Sequence, residues 1–99
     1  MDIEQVKKSS DDKEKIMEYV KEDGLYLEWA SEKLRDDKEI VLQAVKNDGG
    51  ALEFASERLK ADKEVLLAAV EIKGWVLCYA SDELKSDKEL VLKAATRDG

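Results

Sequence analysis

The stretch that decides the fold is DKEIVLQAVKNDGGALEFASERLKA, residues 37–61. It recurs without gaps as DKEKIMEYVKEDGLYLEWASEKLRD (12–36) and DKEVLLAAVEIKGWVLCYASDELKS (62–86), and a shorter copy, DKELVLKAATRDG, occupies 87–99. Nine of the 25 columns are identical in the three full copies. That is far beyond chance, so the chain is a repeat protein with a period of 25 residues.

The first half of each unit predicts an α-helix. In the second unit an apolar stripe recurs at helical spacing: Val41, Leu42, Ala44 and Val45. Asp37 is the expected N-cap, because its carboxylate can accept a backbone N–H that the first helical turn leaves without a partner. An alternative frame places the cap one residue earlier, at Asp11, Asp36 or Ser86. Ala61 breaks that frame, so the Asp of DKE is preferred.

The second half predicts another helix, from about Ala51 to Lys60. Gly49 lies where a residue in the left-handed conformation commonly ends a helix. The invariant Ser56 is expected to let neighbouring helices approach closely while its hydroxyl bonds a backbone carbonyl. Helices of about ten residues are marginal alone, so the units must stack on one another. The sequence therefore predicts an all-α fold, a short α-solenoid of helix-turn-helix repeats.

The organisation follows from the period. We expect residues 1–99 to form a single helical-repeat domain. It comprises an N-terminal cap (1–11), three repeats (12–36, 37–61, 62–86) and a half-repeat (87–99). In the cap, Ile3 and Val6 could pack against the first repeat. The apolar residues of the half-repeat would be partly exposed if nothing followed them. We therefore expect either a further repeat of a longer array or self-association through the C-terminal helix.

The repeats resemble a tandem helical-repeat family of unknown function, domain of unknown function 4116. The resemblance rests on the motif D-K-E-x-V-x-x-A-V followed by G-x-x-L-x-x-A-S-x-x-L, as in DKEIVLQAVKNDGGALEFASERL, and it covers residues 12–99. It implies multi-copy helical repeats, often within larger proteins, and no catalytic residues to carry over.

Composition excludes several classes of function. The chain has no histidine and one cysteine, which removes Ser-His and Cys-His catalysis and the commonest metal ligand. We therefore expect no enzyme activity, no cofactor and no bound metal. The net charge of −7 disfavours direct nucleic-acid binding. No apolar run approaches the roughly 20 residues that span a bilayer, and no signal peptide is present, so a cytoplasmic location is expected.

The candidate partner-binding residues stand where one copy turns apolar or aromatic: Ile72, Trp75, Tyr26 and Trp29. Ile72 occupies the column of Glu22, Asn47 and Arg97, and Trp75 that of Leu25 and Gly50. Trp and Tyr dominate binding hot spots, although packing between repeats is the other explanation. Cys78 replaces Glu28 and Glu53, and we expect it to be a small buried residue.

Two functions compete. The first is a non-catalytic helical-repeat module for protein–protein interaction, with a protein partner of unknown identity. The alternative is a small acidic inhibitor or decoy that occupies the basic nucleic-acid-binding groove of another protein. Mixed charge argues against the alternative, because a decoy needs dense rows of carboxylates.

Overall fold

The computed structural model describes residues 8–98, with side chains through Thr96. The predicted cap residues Ile3 and Val6, and Gly99, lie outside the described residues. Each full unit contains a ten-residue α-helix, a six-residue 3-10 helix and a one-turn α-helix. The long helices are Lys13–Glu22 (α1), Lys38–Asn47 (α3), Lys63–Ile72 (α5) and, in the half-repeat, Lys88–Asp98 (α7). The 3-10 helices are Gly24–Trp29 (η1), Gly49–Phe54 (η2) and Gly74–Tyr79 (η3), and the short helices are Glu32–Arg35 (α2), Glu57–Lys60 (α4) and Asp82–Lys85 (α6).

The long helices begin where the sequence predicts. Asp37 has an extended backbone, and its Oδ1 accepts the N–H groups of Glu39 at 3.0 Å and Ile40 at 3.3 Å. Asp62 caps α5 in the same way, and Asp12 caps α1 by accepting the N–H of Lys15 alone. Each carboxylate satisfies donors that the first turn leaves open, and the Glu that follows favours the positive end of the helix dipole. The preferred capping frame is confirmed.

The prediction that the second half of each unit forms one continuous helix is wrong. The segment from Ala51 to Lys60 is divided at Ala55, whose backbone is extended (φ −70°, ψ 157°), and Ser56 then caps α4. Ser56 Oγ accepts the N–H of Leu59 at 3.3 Å, rather than bonding a backbone carbonyl as predicted. A serine hydroxyl competes with helical backbone bonds and favours a cap, which explains why the helix restarts here.

The glycines also differ from the prediction. No described glycine has a positive φ, so none ends its helix in the left-handed conformation. Instead, a Cβ built on Gly24 would lie 2.2 Å from the carbonyl oxygen of Ala44 in the next unit. Gly49 has the same relation to Ala69, at 2.8 Å. Glycine is needed at these two positions because the backbones of successive units approach too closely for a side chain.

The units stack into an elongated solenoid measuring 40 × 23 × 16 Å. Each long helix packs on the next long helix and on the intervening 3-10 helix. Backbone bonds also join successive units: Ser56 N–H donates to Arg35 O at 3.0 Å, and Ser81 N–H donates to Lys60 O at 3.2 Å. A single apolar core runs along the stack, and its fully buried large residues are Ile16, Val20, Leu27, Ile40, Val41, Val45, Leu52, Leu59, Val65, Leu66 and Leu90. The predicted all-α solenoid is confirmed.

Candidate interaction surface

The invariant DKE triplets form a ladder of ion pairs along one edge of the stack. Lys38 Nζ lies 3.0 Å from Asp62 Oδ2 and 2.8 Å from Glu64 Oε1, both in the next unit. The hydrogen bonds to Glu64 and Asp62 raise the pKa of Lys38 above its ordinary value. The same pairing joins Lys13 to Asp37 and Glu39, and Lys63 to Asp87 and Glu89. The most regular charged residues therefore hold neighbouring units together.

The invariant serines are engaged in a second set of contacts between units. Ser56 Oγ donates to Asp36 Oδ1 at 2.5 Å, and Arg58 Nε donates to the same oxygen at 2.9 Å. The hydrogen bond from Ser56, followed by the contact with Arg58, lowers the pKa of Asp36 below its ordinary value. Ser31 Oγ donates to Asp11 Oδ1 at 2.8 Å in the preceding unit. These hydroxyls cap helices and join repeats, which is a structural role.

In the second unit, the column of Ile72 holds Asn47, which forms a polar clamp. Asn47 Oδ1 accepts the N–H of Gly24 at 2.7 Å, and Asn47 Nδ2 donates to Lys21 O at 3.0 Å. One amide thus clamps the corner of the first unit to the second. Ile72, the next residue in this column, has no polar group with which to repeat the clamp, and its side chain is 42% exposed. Ile72 Cβ would lie 3.4 Å from a Cβ added to Gly49, so the isoleucine packs at the corner of the second unit and leaves part of its side chain in solvent.

The column of Trp75 holds an apolar residue in the first and third units and a glycine, which has no side chain, in the second. Leu25 and Trp75 are 42% and 50% exposed, and Gly50 lies between them in the series. A Cβ on Gly50 would meet Asp48 Oδ1 at 3.2 Å and Leu25 Cδ2 at 4.0 Å, and no backbone atom of another unit lies within 4 Å of it. Packing therefore does not require glycine here as it does at Gly24.

Trp75 is oriented by an aromatic neighbour. The rings of Trp75 and Tyr79 meet edge to face, with centroids 5.7 Å apart and planes at 67°. Tyr79 packs in turn against the buried core. The edge-to-face contact restricts the indole while half of its surface remains in solvent, which suits a side chain that binds another molecule.

Tyr26 and Trp29, the other two candidates, are placed differently. Both side chains are half-buried and pack against the core, and Tyr26 also meets the ring of Tyr19 edge to face at 6.1 Å. The structure therefore gives them a packing role in the first unit. It brings neither of them to the exposed end of η3 where Trp75 lies.

Cys78 was expected to be buried, and that prediction is wrong because its side chain is exposed. The repeat alignment indicates that this position is exposed, since Glu28 and Glu53 occupy it in the other units and are also exposed. Within residues 8–98, no group of three His, Cys, Asp or Glu residues is arranged to hold a metal ion.

A groove that the sequence did not reveal lies beside the short helices. It encloses about 560 Å³ and is lined by Arg35, Phe54, Lys60 and three glutamates, among other residues. Arg35 Nε is buried there and has no hydrogen-bond partner in the described part of the chain. The lining mixes both signs of charge, so it does not select an anion or a cation.

Comparison with known protein families assigns the chain to a family. The model of the family described as Domain of unknown function (DUF4116) matches residues 12–60 and 62–99. The chain belongs to this family. The two DUF4116 segments meet after Lys60, close to the end of the second unit, and the repeats found in the sequence fall within them. No curated protein and no solved structure matches the chain. In the part that the structure describes, none of the helices has the length and apolar character to cross a membrane.

Proposed function

We propose that this DUF4116 chain is a non-catalytic protein-binding module that acts in a reducing compartment such as the cytoplasm. The observation that supports the proposal is where the repeats differ. Invariant side chains cap helices and join units, whereas Ile72, in a column that is polar in the other copies, and Trp75, in a column that holds Leu25 and Gly50, are 42% and 50% exposed. We call these two residues the Trp75 surface.

The chemistry of the Trp75 surface suits a protein partner. A tryptophan buries a large area on binding and loses little conformational entropy, and it is enriched among residues that dominate binding energy. The edge contact with Tyr79 restricts the indole before a partner arrives. The ion pair between Lys93 Nζ and Glu71 Oε1, at 3.1 Å, lies beside Ile72 and supplies a polar rim. An apolar centre with a polar rim is the usual composition of such interfaces.

The ion-pair ladder weighs against the acidic decoy. In the described units, each DKE lysine that has a following unit lies between two carboxylates of that unit. This arrangement interrupts the rows of negative charge that a basic groove would require. The interaction module is therefore the better-supported proposal.

The proposal is tested by affinity capture from the native host with the double variant Ile72→Ala, Trp75→Ala. We expect wild type to retain a partner and the double variant to lose it. The matched control is Leu25→Ala, which truncates an apolar residue that is 42% exposed on η1, two units before the Trp75 surface. Each truncation should cost about 1–3 kcal/mol of stability, the most at Trp75, because about half of each side chain is buried.

Thermal denaturation separates binding from folding. If the double variant unfolds like wild type and still retains the same partner, the Trp75 surface is not the binding site. If it loses most of its helicity, the two residues belong to the packing of the corner, and the proposal fails for that reason.

A further inference from the structure

The short helices of successive units are joined by a repeated side-chain contact, which runs from the end of one unit to the serine of the next. Ser31 Oγ donates to Asp11 Oδ1 at 2.8 Å, and Ser56 Oγ donates to Asp36 Oδ1 at 2.5 Å. At the second of these junctions Arg58 adds two bonds, from Nε to Asp36 Oδ1 at 2.9 Å and from Nη2 to Asp36 O at 2.7 Å. We call this side of the stack the short-helix edge.

The junction between the second and third units lacks this side-chain contact. Ala61 occupies the position of the accepting aspartate, and Glu83 occupies the position of Arg58. Ser81 Oγ accepts the N–H of Leu84 at 3.4 Å and so still caps α6. Its own hydroxyl, however, has no acceptor among the described residues. The third unit is therefore joined to the second without the bonds that fasten the second unit to the first.

The contact is missing because of the side chain at position 61, since the backbone follows the same path at both junctions. Ala61 (φ −98°, ψ 5°) has the conformation of Asp36 (φ −101°, ψ 7°). Ser81 (φ −61°, ψ 159°) likewise has the conformation of Ser56 (φ −64°, ψ 160°). An aspartate at position 61 would therefore be placed to accept the Ser81 hydroxyl, as Asp36 accepts that of Ser56.

The other sides of the same junction are fastened. In the ladder, Lys38 Nζ binds Asp62 Oδ2 at 3.0 Å and Glu64 Oε1 at 2.8 Å. At the corner, Lys73 Nζ lies 3.1 Å from Asp48 Oδ1. Between these two sides, α3 and α5 pack on each other through the buried core. The weakness of the junction is thus confined to its short-helix edge.

We propose that the stack opens locally at this edge, between α4 and α6, while the ladder and the core stay closed. Among the described residues, the hydrogen bond that joins the two short helices there runs from Ser81 N–H to Lys60 O, at 3.2 Å. Proteins open first where few bonds have to break. Because η3 leads into α6 through Ala80 and Ser81, the opening lets the Trp75 surface change its angle to the second unit. The inference goes beyond the proposed function, since the opening does not require a partner.

Native-state hydrogen exchange of the full chain, followed by NMR, tests the proposal on a matched pair of amides. Ser56 and Ser81 both follow an alanine, and both donate to a backbone carbonyl of the preceding unit. Their exchange rates therefore differ through the opening of the structure rather than through local sequence. We expect the Ser81 amide to exchange at least about tenfold faster than the Ser56 amide, because opening at Ser56 must also break bonds to the charged Asp36.

The substitution Ala61→Asp should supply the missing acceptor and slow exchange of the Ser81 amide about five- to tenfold. In a Ser81→Ala chain the same substitution should leave exchange at position 81 unchanged, because no hydroxyl remains to donate. Conversely, Asp36→Ala should speed exchange of the Ser56 amide about tenfold. Equal exchange of the Ser56 and Ser81 amides in wild type would overturn the proposal. So would an Ala61→Asp chain in which Ser81 exchanges as fast as before, or a gain that persists without the Ser81 hydroxyl.

Discussion

The substitution Gly24→Ala tests the close approach between units most directly. The added Cβ would lie 2.2 Å from Ala44 O and 3.0 Å from Ala44 C, whereas ordinary contact begins at 3.4 Å. The oxygen would have to retreat by about 1.2 Å, and it belongs to the backbone of α3 rather than to a flexible side chain. Overpacking of this kind costs about 1–3 kcal/mol.

The same displacement acts on the amide clamp. Asn47 binds Gly24 N–H at 2.7 Å and Lys21 O at 3.0 Å, and both bonds lengthen if α3 moves away from the first corner. Each is worth about 1 kcal/mol. Together the two effects predict a loss of about 2–5 kcal/mol in the free energy of unfolding. For a chain of this length, that corresponds to a fall in Tm of about 10–30 °C.

Urea and thermal denaturation followed by far-ultraviolet circular dichroism would measure the loss, with Gly50→Ala as the matched control. A Cβ at Gly50 would meet the side-chain oxygen Asp48 Oδ1 at 3.2 Å rather than a backbone atom of another unit, so a shift of a few tenths of an ångström in that side chain accommodates it, and we expect Gly50→Ala to stay within about 1 kcal/mol of wild type. If Gly24→Ala lies within about 0.5 kcal/mol of wild type, or if both variants lose the same stability, the steric explanation is refuted.

Three further predictions concern the contacts between units. Ser56→Ala removes the cap of α4 and the bond to Asp36, and it should cost about 1–2 kcal/mol in urea denaturation. Acidification should destabilise the fold through Asp36. The bonds from Ser56 and Arg58 hold the pKa of Asp36 below its ordinary 3.8. Its stabilising contribution is therefore complete above that value and is lost as pH falls through the lower folded value, which urea midpoints measured down to about pH 2.5 would detect. Finally, Asn47→Ala should cost about 1–3 kcal/mol, because it leaves the N–H and C=O of the clamp without partners. Ile72→Asn should stay within about 1 kcal/mol of wild type, because two new hydrogen bonds offset a half-buried side chain.

Each of these predictions has a contradicting result. A Ser56→Ala chain as stable as wild type would mean that the short helix needs no cap. An Asp36→Asn variant with the acid sensitivity of wild type would assign that sensitivity to other carboxylates. An Ile72→Asn chain destabilised as much as Asn47→Ala would show that Ile72 is required for packing, which would also weaken the proposed role of the Trp75 surface.

The sequence predicted the stacked helices because period, capping and apolar spacing all indicate the same element. The prediction of one continuous helix from Ala51 to Lys60 is wrong. Leu52, Ala55 and Leu59 keep a helical spacing in the sequence although the helix is interrupted at Ala55. A signal was present: a serine followed by an acidic residue, just after an invariant alanine, is typical of a new helix start.

Contacts between units could not be predicted from one unit alone. The need for Gly24 depends on the carbonyl of Ala44, and the partners of Lys38 lie in the following triplet. The candidate surface was partly predictable. Differences between copies indicated Ile72 and Trp75, both exposed, but they also indicated Tyr26, which packs against the core. Composition alone does not distinguish an exposed aromatic residue from one that fills a corner.

The carboxylate of Asp37 has a consequence for how such arrays change in evolution. Its Oδ1 caps its own helix, and its Oδ2 binds Lys13 of the preceding unit at 3.1 Å. One side chain thus starts a helix and attaches it, and the lysine beside it offers the same attachment to the next unit. A duplicated unit of 25 residues therefore brings both halves of the junction with it. Duplication of a unit can therefore lengthen the stack, and deletion of one can shorten it, without a new interface having to arise.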